Sequence, residues 1–108
     1  MTEAEIIEGY VREADFDYVG LWQIAGAARL KLGITGDDAV REKALVLVRG
    51  LLERGLYPGT YWQTGFRFWE EMSHSAVLAR IDREWQDRGH DPDLGDCWFG
   101  RPRRPPSR

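Results

Sequence analysis

At 108 residues and a net charge of −3, the chain has the size of one domain and can bury a core without metal or disulfide staples. Its 43% hydrophobic and 31% charged residues are those of a soluble globular protein, and no apolar run approaches the ~20 residues of a membrane span. A single cysteine, Cys97, excludes an intrachain disulfide; with an acidic start, MTEAEIIEGY, unlike a secretory signal, it points to a cytoplasmic protein.

Thr2 and Glu5 have the spacing of a capping box and predict a first helix over about residues 3–14. Ile6, Ile7, Tyr10, Val11 and Ala14 give it one apolar face. Asp17 reads as the N-cap of a second helix over about 18–32, striped by Leu21, Ala25, Ala28 and Leu32 and stopped by Gly33. A third helix opens at Asp37 or Asp38 and ends at Gly55. Val40, Ala44, Leu47, Val48, Leu51 and Leu52 make it the most apolar segment and place it at the centre of the core.

The stretch YPGTYWQTGFRFW follows. Pro58-Gly59 reads as a turn, and Gly65 suits the bend of a β-hairpin. Phe66 and Phe68 share one hairpin face, expected to close the core; Arg67 and Trp69 share the other. Ser73 caps a fourth helix over about 74–88, with Val77 or Leu78, Ile81 and Trp85 inward, and Gly89 stops it. HDPDLGD is a turn-rich connector, and CWF (97–99) is a short closing strand that could add to the hairpin. Trp22, Trp85 and Trp98 are expected in the core. The order predicts an α+β fold over residues 1–100, similar to a winged helix: three helices, a β-hairpin, a fourth helix and a closing strand. The tail RPRRPPSR (101–108) lacks apolar residues and is expected to be disordered. It holds four arginines and no acid, so the net −3 leaves −7 on residues 1–100.

That sign works against nucleic acid. A DNA-reading winged helix lays its third helix in the major groove and meets phosphates with Lys and Arg. Here that helix opens on Asp37 and Asp38, its charges cancel, and the hairpin carries one cation, Arg67. A DNA-binding regulator is therefore the alternative reading. Catalysis is not expected. His74, His90 and Cys97 lack the close spacing of a zinc site, and no phosphate loop or nucleophile elbow is present. No cofactor or metal follows from the sequence.

What remains is an acidic, aromatic-rich domain that binds protein. Tyr61, Trp62 and Trp69 beside Glu70 and Glu71 have the composition of an interface centre and rim. The opposing reading packs Trp62 and Trp69 under the fourth helix and the closing strand. Asp91, Asp93 and Asp96 are further acidic contacts, as are Asp37 and Asp38. The segment GFRFWEEMSHSAVLARIDREWQDRGHDPDLGDCWFG resembles the closing segment of a set of small, largely uncharacterised bacterial proteins. The resemblance rests on Gly65, Phe66, Trp69, Glu84, Trp85, Gly89, Pro92, Gly95, Asp96, Trp98 and Phe99. It departs in two places: Glu84 directly precedes Trp85, and one residue separates Asp96 from Trp98. Some of those proteins resemble immunity partners of secreted toxins. The resemblance thus implies a non-catalytic partner of a toxin, and the acidic body fits a partner that is basic. A homodimer without any toxin is a third expectation.

Overall fold

In the computed structural model, which describes residues 1–71, 73–94 and 96–102, the chain forms four helices and four strands. The Thr2 N–H donates to Glu5 Oε1 at 2.8 Å and the Glu5 N–H donates to Thr2 Oγ1 at 3.1 Å. This capping box opens α1 (Glu3–Glu13) and satisfies two N–H groups that the helix itself leaves free. β1 (Val19–Gly20), α2 (Leu21–Leu30), α3 (Asp37–Glu53), β2 (Tyr57–Trp62), β3 (Gly65–Phe68), α4 (His74–Arg88) and β4 (Trp98–Gly100) follow.

The α+β class stands, but the winged-helix order is not confirmed. A strand separates the first two helices, and the sheet runs β1-β4-β2-β3 with every pair antiparallel. Val19 pairs with Phe99, and Phe99 pairs with Pro58, so the late strand β4 lies between β1 and the hairpin. Asp17 does not cap α2. Its Oδ1 accepts the Tyr18 N–H at 2.8 Å, and the chain runs extended through Val19 and Gly20. The N-cap of α2 is Gly20, whose N–H donates to Gln23 Oε1 at 2.7 Å.

α3 is central, as its composition predicts. Val40, Ala44, Leu47, Val48 and Leu51 are fully buried, and the helix packs against α1, α2 and α4. Arg54 caps it and Gly55 turns away at φ 88°, a conformation a side chain disfavours. Val19, Phe99 and Pro58 form the core face of the sheet, each buried.

Two hairpin expectations are corrected. Pro58-Gly59 is no turn; both residues lie within β2. Gly59 is required there for space. A Cβ would sit 2.5 Å from the Phe66 ring and 2.6 Å from the Arg67 carbonyl oxygen. Because the second obstacle is backbone, Gly59→Ala is expected to cost ~1–3 kcal/mol through forced displacement of β3, read as a lower urea midpoint. Phe66 and Phe68 do not close the core either. They share the outer face with Gly59 and Trp98, while the helix side receives Trp69, 7% exposed. Trp22 is also outside the core at 40% exposure, Trp98 is half-buried, and Trp85 is buried as expected. Arg101 is ordered against Asp15 at 3.5 Å. The remainder of the expected disordered tail, 103–108, lies outside the described residues.

No helix of the described residues is long and apolar enough to cross a membrane.

Candidate functional site

The far half of the hairpin carries two neighbouring aromatics on opposite faces, Tyr61 at 49% and Trp62 at 60% exposure. Tyr61 belongs to an aromatic layer on the outer side of the sheet. Its ring meets those of Tyr18, Phe66 and Trp98 edge-on at 5.6, 5.4 and 5.7 Å, and Tyr18 stacks on Phe66 at 3.9 Å. Such geometry pairs the positive edge of one ring with the negative face of the next. The layer rests on side-chain-free backbone. A Cβ at Gly100 would meet the Tyr18 ring at 2.5 Å, and one at Gly20 would come within 3.2 Å of the Trp98 ring. Partial burial first, then the Asp17 charge, raises the pKa of the Tyr61 hydroxyl and keeps it a neutral donor.

On the helix side, Trp62 overhangs a shallow groove floored by Thr60 and Trp69 and walled by Arg67 and Arg80. Trp69 is held from two directions. Its Nε1–H donates to Thr60 Oγ1 at 3.0 Å, and the Arg80 guanidinium lies 3.7 Å over its ring. Arg80 is fixed in turn by Glu71 and Glu84, each at 3.0 Å. The Glu71 carboxyl is held below the usual glutamate value by its own backbone N–H, and then by Arg80. Trp69 and Glu71 therefore clasp the hairpin to α4. Glu70 is exposed and has no ion pair or hydrogen bond among the described residues. The groove brings together Trp62, Trp69, Glu70 and Glu71 of the sequence-predicted residues; Tyr61 lies on the reverse face.

The aspartates lie elsewhere. Asp91 accepts two bonds from Arg29, at 2.7 and 3.1 Å, and Arg29 also reaches Asp37 at 3.0 Å. Asp91, then Asp37, stabilises the charged form of Arg29. Asp96 pairs with Arg88 at 2.6 Å and accepts the Asp93 N–H at 2.7 Å. These carboxylates pin the connector between α4 and β4, and none lines the hairpin groove. The sequence gives no cue to the long-range pairing of Arg29 with Asp91 or to Arg80 over Trp69.

Cys97 is buried in the core, and desolvation pushes its thiol far above the ordinary value. It is expected to resist a thiol reagent at neutral pH in the folded protein and to react at once in denaturant. A fast native reaction would place the thiol at the surface. Among the described residues, no group of three His, Cys, Asp or Glu side chains is placed to hold a metal ion.

Comparison with known proteins finds no matching family model, curated protein or solved structure.

Proposed function

We propose that the chain is a non-catalytic protein-binding domain whose hairpin end docks a basic partner, in the manner of an immunity protein that covers a toxin. The observation that carries this reading is the exposed Trp62 on the groove it shares with Glu70, whose carboxylate has no partner among the described residues, with the exposed Tyr61 on the reverse face of the same hairpin end. A large aromatic side chain gains most by desolvation at the centre of an interface, and a free carboxylate at its margin favours a cationic partner. The −7 charge of residues 1–100 adds a long-range attraction that speeds encounter and fades with salt. Asp91 and Asp96 contribute to that field, but their arginine pairs make them poor direct contacts.

A winged-helix DNA regulator is the weaker reading. The start of α3 presents Asp37 and Asp38, whose side chains are 90% and 86% exposed, where phosphate would need cations.

The test is capture from the native host with tagged protein, at low and moderate salt and with nuclease, run beside a Tyr61→Ala/Trp62→Ala double variant. One basic protein retained by the wild type, weakened by salt and lost from the double variant is the expected result. Equal recovery by both forms would remove the hairpin from the interface. Nuclease-sensitive DNA would promote the regulator.

A further inference from the structure

A second surface, away from the hairpin, lies along α3 and α4. An open groove there is lined by Leu45, Val46, Leu78 and Ala79 together with the charged Glu42, Arg49 and Asp82. Val46 is 46% exposed although α3 is the central helix of the core. Most charged groups nearby are already committed. Asp82 accepts from Arg41 at 2.9 Å and from Gln86 at 3.1 Å, and Asp38 holds Arg41 at 2.7 Å. Glu42 and Arg49 differ. Both are exposed, and neither side chain has an ion pair or hydrogen bond among the described residues.

The positions of these four α3 residues are self-complementary. Glu42, Val46 and Arg49 follow the i, i+4, i+7 spacing of one helical stripe, with Leu45 beside them. Glu42 and Arg49 stand two turns apart, ~10 Å along the axis, with the apolar pair between them. Let a second copy lay its α3 antiparallel across this one, about a two-fold axis passing between positions 45 and 46. Glu42 then faces Arg49 of the second copy, Arg49 faces its Glu42, and Leu45 faces its Val46. An isologous interface demands this reciprocity: one patch that complements itself.

We propose that the α3–α4 groove is the interface of a two-fold homodimer, and that its occupant is the same groove of a second copy. Leu45 and Val46 form the dry centre. Ala79 is small and permits close helix approach. The two Glu42–Arg49 pairs set the register and the antiparallel sense. The same axis sets Asp38 opposite Glu53, a like-charge pair, but these lie towards the ends of α3, where crossed helices diverge. The hairpin is built from other elements, so the dimer stands or falls independently of the proposed partner binding.

The test is molar mass against concentration, by light scattering and sedimentation, for the full chain. The wild type is expected to rise towards twice the mass of one chain. Glu42→Arg sets two arginines opposite each other at both ends of the contact and is expected to weaken the dimer by ~10-fold or more. Val46→Glu places a charge in the apolar centre and should leave a monomer. The swap Glu42→Arg/Arg49→Glu restores opposite charges and is expected to restore the dimer. All three positions are solvent-facing, so the helix content seen by circular dichroism should be unchanged. A wild type that stays monomeric at every concentration would overturn the proposal. So would a dimer indifferent to Glu42→Arg and Val46→Glu, or a swap variant that remains monomeric.

Discussion

Phe99→Ala is expected to lower folding stability by ~3–5 kcal/mol, seen as a large fall in urea midpoint with little change in slope. Phe99 is completely buried, on the strand that joins β1 to β2. On either side it pairs with Val19 and Pro58, both buried, so its ring is part of the sheet surface that meets the helices. Truncation removes the transfer energy of the ring and leaves a cavity that close-packed neighbours cannot fill. Domains of this size have a total stability of ~5–15 kcal/mol, so the variant approaches the unfolding threshold. Leu94→Ala is the matched control; at 64% exposure it should change stability by less than ~0.5 kcal/mol. A loss under ~1 kcal/mol for Phe99→Ala would mean that β4 does not clamp the sheet.

Trp62→Ala is expected to weaken partner binding by ~2 kcal/mol or more, roughly 30-fold, while stability moves by less than ~0.5 kcal/mol. The two quantities separate because Trp62 is 60% exposed and its side chain makes no hydrogen bond or ring contact among the described residues. Trp69→Ala serves as the contrast. It strips the ring from beneath Arg80 and the N–H from Thr60, so it should lower stability as well as binding. Glu70→Lys should chiefly slow association and flatten its dependence on salt, as a charge at an interface margin does. Titration calorimetry with the captured partner, paired with urea melts, measures both sides. Unchanged affinity in Trp62→Ala would remove the hairpin tip as an anchor.

The helices were readable because each carries its own signal. Thr2, Ser73 and the glycines at 55 and 89 mark termini by local backbone chemistry, and the apolar stripes repeat over several turns. β1 was hidden because two residues cannot display an alternation, and Val19-Gly20 borders a helical pattern that absorbs it. Pro58-Gly59 carries a turn signature that tertiary packing overrides: Pro58 fills the core beside Phe99, and Gly59 leaves room for Phe66. The structure reverses the expected hairpin faces because both carry aromatics, so alternation alone leaves the direction open. The site followed the same division. Its aromatic residues stand out by type, whereas the fate of each acid depends on arginines distant in sequence, as Asp91 depends on Arg29 and Asp96 on Arg88.

The insertion of β4 between β1 and β2 also orders events in time. Val19 waits for Phe99, about 80 residues later, before its strand has any neighbour. While a ribosome is still making the second half, α1 to α3 can pack, but Val19 and Pro58 present open backbone edges. Closing so long a loop is entropically costly and tends to make folding slow. A chain that ends before Trp98 lacks the strand that joins β1 to β2, so its strands can form at most two separate pieces.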